Sequence, residues 1–280
     1  MRNAHSIELM CRVLKVSRSG FYEWRGRPER ILPEYQTLKE EIRFHYKESR
    51  KTYGHRRVRH SMMKAGALIG RKLTLRLMKV MALEATPWKP SPYAAQKQAQ
   101  EAKVCKHRLQ RCFEPSGPNR VWTSDITYIW TQNGWAYLAV VLDLFSRKVM
   151  GWAVSERPDT QLVLLALTQA LVSRSYRRWR LLFHSDQGCQ YTSKELREFL
   201  LERGILPSMS RRGQRWDNAP TESFFRTFKQ ETGIRKFQIK GLKEVDGLAF
   251  DWIETWYNLK RQHTFNGYCS PAEYEMKWAA

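Results

Sequence analysis

Apolar positions recur at helical spacing through the first part of the chain and give way, beyond Asn119, to β-branched and aromatic runs. Ile7, Leu9, Met10, Val13 and Leu14 lie at roughly the spacing of one helical face, and Ser17 offers an N-cap to a second short helix carrying Phe21 and Trp24. This pair, within residues 1–30, reads as a short helix-turn-helix segment. After Pro28 and Pro33 a further helix is expected with Leu38, Ile42 and Tyr46 on one side, and Gly54 ends it. HRRVRHSMMKAG and GRKLTLRLMKVMAL then read as two basic amphipathic helices parted at Gly66 and Gly70. That spacing is compatible with a DNA-binding helix-turn-helix over 34–86, with a basic bundle that makes no groove contact as the alternative. Residues 87–118, rich in Pro, Ala, Gln and Lys, predict an exposed connector.

From 119 onward VWTSDITYIW, GWAYLAVVLDLF and RKVMGWAVS predict three adjacent antiparallel strands, parted by the turn signal TQNG and by a polar break at Ser146 and Arg147. A helix at TQLVLLALTQALVSR, a strand at RWRLLFHSD, a helix at SKELREFLLERG and a strand at ILPSMS follow. Three strands, helix, strand, helix, strand is the order of a ribonuclease-H-like α/β fold, a mixed five-stranded sheet flanked by helices. The core is expected over 119–240, with a helical extension over 241–280.

Charge changes the picture from fold to partner. The chain of 280 residues carries a formal charge of +22, with 27 Lys and Arg against 10 Asp and Glu in residues 1–120 and 22 against 17 in the remainder. Such an excess favours a polyanion, since each neutralised phosphate releases counterions. Nucleic acid is the expected partner; a ribosomal-type protein, a basic membrane-surface protein and a merely solvated surface are the alternatives. Cys11, Cys105, Cys112, Cys189 and Cys269 form no CxxC pair, which predicts a reduced, cytoplasmic setting. The longest apolar stretch, Leu162 to Val172, contains Thr168 and Gln169 and falls well short of the roughly 20 residues that span a bilayer. No start resembles a signal peptide, and no membrane partner is expected.

Candidate chemistry rests on carboxylates. Metal-assisted phosphoryl transfer needs acidic side chains that converge on divalent cations, which take oxygen ligands and complete their shells with water and substrate phosphate. Asp125 lies within the first strand, Asp186 ends the fourth, and Glu222, separated from it by 35 intervening residues, opens a helix announced by Asn218 and Pro220. On that helix Glu222, Arg226 and Lys229 fall at i, i+4 and i+7, while Phe224, Phe225 and Phe228 point to the core. Asp143 is the rival first ligand, better explained by a pairing with Arg147 or Lys148. His184 either orients substrate or is a satisfied strand-end histidine. Cys105, His107 and Cys112 lack a fourth zinc ligand and match no common spacing. Arg211, Arg212 and Arg215 read as phosphate contacts or as a solvated loop, and Trp216 beside them stacks on a base or packs. Arg56, Arg57 and Arg59, with Arg71 and Lys72, are the candidate contacts on the two basic helices. Asn258, Arg261 and His263 either touch DNA or a neighbouring subunit, or tie down the C-terminal segment.

Asp125, Asp186 and Glu222 at this spacing, with Lys229 seven residues past the Glu, resemble the integrase core of retroviral integrases and bacterial transposases. SRKTYGHRRV at 49–58, HSDQGCQYTS at 184–193, DNAPTESFFRTFKQE at 217–231 and WYNLKRQHTFNGYCSPAEYE at 256–275 extend the likeness over nearly the whole chain. They resemble the second-reading-frame product of the insertion-sequence transposases made by frameshifting. The resemblance implies two Mg²⁺ or Mn²⁺ ions held by the three acids, cleavage and strand transfer at element ends, and a copy-out, paste-in route through a circular intermediate. It also implies a homo-oligomer on DNA and an upstream-frame product as partner. Cys189 stands where the family usually has Ser, and Asn266 where Leu is usual, a polar group where packing is expected. A DNA-binding regulator with an idle core, and a nuclease that cuts without joining, are the competing functions.

Overall fold

Where the sequence alternates β-branched and aromatic residues, a five-stranded sheet forms in the order β3-β2-β1-β4-β5, with β1 at Val121–Thr131, β2 at Gly134–Asp143, β3 at Val149–Ser155, β4 at Leu182–Ser185 and β5 at Leu206–Met209. The first three strands run antiparallel and β4 and β5 run parallel to β1. The computed structural model describes residues 6–26, 35–85, 105–212, 214–234 and 238–279. The turn between β1 and β2 needs only Gln132 and Asn133, because Gly134 takes a φ of 112°, a region that costs glycine little. Helices α6 (Thr160–Ser173) and α7 (Lys194–Glu202) start where Asp159 and Ser193 accept the backbone N–H groups of Leu162 and Leu196.

The sheet is buried on both sides, which is why β2 reads as a nearly continuous apolar run. Trp122, Ile126, Ala139 and Val141 pack against Leu162, Val163, Ala166 and Leu167 of α6. At Gly151 the approach of α6 is so close that a Cβ would fall 2.1 Å from the carbonyl oxygen of Ala166. The opposite face, with Leu138, Val140 and Leu142, meets α8 (Ala219–Glu231), α9 (Leu242–Phe250) and a π-helical turn over Asp251–Tyr257, through Phe224, Phe225, Phe228 and Trp252. The three phenylalanines of α8 are thus buried as their spacing predicts.

The N-terminal helices are α1 (Ile7–Val13), α2 (Arg18–Gly26), α3 (Tyr35–Glu48), α4 (His55–Lys64) and α5 (Arg71–Val80); α10 (Pro271–Ala279) ends the described chain. Ser17 Oγ accepts the Gly20 N–H at 3.0 Å, the cap expected of it. Helices α3 to α5 pack together around Ile42, Val58, Met62 and Leu77, within the same apolar cluster as the α8 face of the sheet. Polar ties join them to the C-terminal segment: Arg50 to Asp251, Lys64 to Glu273, and the Tyr53 hydroxyl, which accepts the Gln262 N–H at 2.7 Å.

Two expectations change. Of the connector expected over 87–118, residues 87–104 lie outside the described residues, but 105–118 are not a free spacer. Leu109 is buried, and Ser208 Oγ on β5 accepts the backbone N–H groups of Arg108 and Leu109. The segment thereby covers an otherwise open sheet edge. The fourth strand is also shorter than RWRLLFHSD suggests. Trp179 adopts a φ of 59° and donates its N–H to Gly204, so the chain turns there and pairing with β1 begins at Leu182.

Candidate functional site

Parallel pairing between β1 and β4 decides where the first two acids stand. Thr123 is in register with His184, the last pair between the two strands; Asp125 follows two residues on within β1, and Asp186, expected to end the fourth strand, stands one residue past β4, which stops at Ser185. Asp186 Oδ1 accepts the Gly188 N–H at 2.9 Å, which turns the chain out of the strand, and Asp125 Oδ1 accepts the Ile126 N–H at 2.8 Å. Behind them Tyr191 is buried with its hydroxyl 2.9 Å from Ser124 Oγ. Burial first, and then the Asp125 carboxylate with Asp186 in support, holds that phenol well above its ordinary range, so both acids lie within electrostatic reach of one buried group.

Glu222 reaches the same region from α8. Thr221 Oγ1 shares a 2.7 Å hydrogen bond with Thr123 Oγ1 and donates to Asn218 Oδ1 at 2.9 Å, while Asn218 Nδ2 donates to the carbonyl of Ser124 at 3.4 Å. These bonds pin the first turn of α8 across the strand that bears Asp125, and an acid in a first turn suits the helix dipole. Among the described residues, however, no three Asp, Glu, His or Cys side chains stand close enough to share one ion. Oxygen donors alone fit a hard divalent cation, and a magnesium-type site takes one or two carboxylates and leaves other positions to water and substrate phosphate. Asp125 and Asp186 offer donors of that kind; Glu222 closes no three-ligand group with them.

The approach to Glu222 is organised by a group that sequence reasoning passed over. Asp217 is fully buried, and its carboxylate accepts the Arg211 N–H at 3.0 Å, Arg211 Nε at 3.0 Å and Arg111 Nε at 2.7 Å. The Arg211 guanidinium above all holds its pKa far below the usual carboxylate range. The signal was in the sequence, since an acid stands six residues past Arg211 in a loop otherwise rich in arginine. Arg211 is therefore engaged with Asp217, Arg212 is exposed, and the Arg215 side chain lies outside the described residues. Trp216 is 73% exposed and does not pack.

His184 resolves as the satisfied histidine. Its Nε2 lies 3.0 Å from the Asp217 carbonyl, which only accepts, so the ring proton sits on Nε2 and Nδ1 accepts from Ser208 Oγ at 2.9 Å. Burial first, then the neighbouring His107, pushes its pKa down to about 4. The imidazole is expected to stay neutral through pH 5, as ¹⁵N NMR of the ring should show; a titration near 6.5 would refute this. In the unfolded chain the ring protonates near 6.5. Its contribution to stability is present above that pH and lost as pH falls toward 4, amounting to about 3 kcal/mol.

Asp143 runs the other way. It is fully buried and accepts the N–H groups of Asn119 at 2.7 Å and Phe145 at 2.9 Å, not a side-chain pairing with Arg147 or Lys148, which meet it only through the backbone. Burial raises it to about 6, so its ionisation penalty is relieved as pH drops through 6. The two effects oppose one another over the same window, and the acid loss from His184 should stand out only after Asp143→Asn.

The remaining basic candidates divide by burial. Arg56, Arg71, Lys72 and Arg226 are exposed. Arg59 Nε donates to the Ile69 carbonyl and closes the turn between α4 and α5, and Lys229 Nζ donates to the Tyr128 carbonyl at 2.7 Å. Arg261 is 5% exposed and ion-paired with Glu231 at 2.9 Å. Burial, and then Arg261, holds His263 well below its ordinary pKa, so it carries no charge for DNA. Asn258 bonds both polar groups of Val149 on the edge strand β3, at 3.0 Å each. Arg261, His263 and Asn258 thus tie down the C-terminal segment. Asn266, where packing is expected, is buried and donates to the Ser146 carbonyl at 2.6 Å.

Residues 115–215 and 203–271 match models of the integrase core domain, and residues 34–90 match an HTH-like domain. Over 281 residues the chain is 35% identical to the transposase InsF for insertion sequence IS3fB of Escherichia coli (strain K12), covering 96% of this chain and 94% of that one. The chain belongs to the IS3 family of insertion-sequence transposases. It is also 35% identical over 270 residues to the insertion element IS600 uncharacterized 31 kDa protein of Shigella sonnei, covering 96% of this chain and 98% of that one. Among solved structures it is similar to the simian T-cell lymphotropic virus intasome in complex with PP2A regulatory subunit B56 gamma, with a TM-score of 0.48, 15% identity, and 77% and 69% of the two chains covered. It is likewise similar to the HTLV-2 integrase catalytic core domain in complex with magnesium, with a TM-score of 0.44, 16% identity, and 57% and 98% covered. No helix among the described residues of this IS3-family transposase is long and apolar enough to cross a membrane.

Proposed function

We propose that this transposase cuts DNA at the ends of its element and joins the exposed 3′ ends to a second phosphodiester, with Asp125, Asp186 and Glu222 as the acids that hold two magnesium or manganese ions. What supports the reading is the parallel pairing of β1 with β4, since Asp125 lies two residues past the Thr123–His184 pair on β1, Asp186 follows the end of β4, and the first turn of α8 is bonded to Thr123. When bound, the ions activate the attacking oxygen and stabilise the leaving one. The protein's own groups supply position: Gly188 orients Asp186, the Thr221 and Asn218 bonds fix the helix that carries Glu222, and Asp217 braces the loop before it. No nucleophilic side chain is needed. Exposed Arg56, Arg71, Lys72, Arg212 and Arg226 are the proposed phosphate contacts, with 34–86 as the DNA-binding part and 119–240 as the catalytic core.

A homo-oligomer on paired ends, with the upstream-frame product as partner, belongs to the same proposal. The test incubates the full chain with labelled duplexes of the element ends and Mg²⁺ or Mn²⁺, alone and with the upstream-frame product, and scores joined strands. Joined products are expected. Cleaved ends that never join would make it a nuclease, and binding without cleavage a regulator.

A further inference from the structure

Between the N-terminal helices and the core lies a cavity of about 440 Å³, lined by Gly54, His55, Arg56 and Arg57 at the start of α4, by Thr227, Gln230 and Glu231 on the last turns of α8, and by Arg261, Thr264 and Tyr268. Its charge is one-sided. Glu231 is spent on Arg261 at 2.9 Å and on Trp256 Nε1 at 3.2 Å, which cancels one arginine and leaves Arg56 and Arg57. Arg57 is only partly exposed, and among the described residues its side chain makes no hydrogen bond or ion pair; it lies over the Tyr53 ring, 5.5 Å from the centroid. Burial, and then the like charge of Arg261, pulls its pKa down, with Glu231 acting the other way from across the cavity. The first turn of α4 faces the same space, capped by Gly54 with no side-chain acceptor.

We propose that this cavity seats one backbone phosphate of duplex DNA, held by Arg57, so that a strand is clamped between the DNA-binding helices and α8 itself. The inference rests on the DNA reading above and adds a place to it. A guanidinium there forks to two phosphate oxygens, and Thr264 offers a hydroxyl donor at the rim, the Thr227 hydroxyl being already donated to the Ser223 carbonyl. Since α8 also carries Glu222, a phosphate bound at its far end would fix the distance from that strand to the acids.

The test measures binding of the full chain to a labelled generic duplex across a KCl series, for the wild type, Arg57→Gln and Arg57→Lys, with melting temperatures alongside. Arg57→Gln is expected to bind on the order of tenfold more weakly and to lower the slope of log K against log salt by about 0.9, the loss of one phosphate contact. Arg57→Lys keeps the charge, and therefore the slope, and loses severalfold in affinity because an ammonium cannot fork. A folded Arg57→Gln protein with wild-type slope and affinity overturns the phosphate seat while leaving the DNA reading intact, and a wild type that binds no duplex overturns both. Where Arg57→Gln fails to fold, Arg57→Lys decides, since wild-type affinity in that variant removes the fork and with it the proposal.

Discussion

Asp186→Asn and Asp125→Asn are each expected to depress strand joining by on the order of 10³-fold or more while leaving duplex affinity within about twofold. Asparagine keeps the shape of the side chain, and its Oδ1 can still accept the Gly188 or the Ile126 N–H, so the local turn and strand survive. What disappears is one formal negative charge from the acids proposed to hold the ions. A factor of 10³ corresponds to about 4 kcal/mol, a modest fraction of what a divalent cation contributes when it offsets charge on a transferring phosphate. Binding is carried elsewhere, because residues 1–120 hold a net +17 against +5 for the remainder. Glu222→Gln should match the aspartate variants even though Glu222 does not close a three-ligand group with them, since substrate phosphate is expected to complete the shell. Joining by any of the three variants at even a hundredth of the wild-type yield in Mg²⁺, with normal melting, would remove the assignment.

How far the sequence foretells this arrangement depends on the range of the interaction involved. Strand alternation, the N-cap at Ser17 and the buried phenylalanine face of α8 are set within a few residues, and each is readable. The pairing of Thr123 with His184, which sets the strands that lead to Asp125 and Asp186, needs a parallel register across 61 positions, which topology implies once the fold is recognised. The roles of the arginines are another matter. Arg211, Arg212 and Arg261 are one residue type in polar sequence, yet Asp217 engages the first and Glu231 buries the last, and only the second stays open. Asp217 lies six residues from Arg211 and is visible locally, whereas a partner acid 30 residues away, as Glu231 is from Arg261, leaves no local trace. His184 was undecided for the same reason: its three partners come from β5 and from the loop before α8. Asp143 was matched to nearby cations because charge is visible in a sequence, whereas the two backbone N–H groups that satisfy it are not.

Removing one member of the Arg261–Glu231 pair should destabilise the protein by about 3–5 kcal/mol, a fall in melting temperature on the order of 10 °C, because each leaves a buried charge without its counterion. The side chains are 7% and 6% exposed, so water cannot take the partner's place. The two deletions are not equivalent. In Arg261→Met the Glu231 carboxylate keeps the Trp256 N–H, and it has Arg57 across the cavity to draw on. In Glu231→Gln the Arg261 guanidinium faces Arg57 and a neutral His263, with nothing to offset two like charges. Glu231→Gln should therefore cost more than Arg261→Met, and the double variant less than the sum of the two, as expected for groups in contact. The bond joins the last residue of α8 to the segment after the π-helical turn. Its loss should loosen the C-terminal end of the helix whose first turn holds Glu222, and amide exchange over 228–232 would rise ahead of global unfolding. Thermal melts of the three variants at neutral pH check the order; a Glu231→Gln protein that melts within about 2 °C of the wild type would show that the pair is solvated in solution.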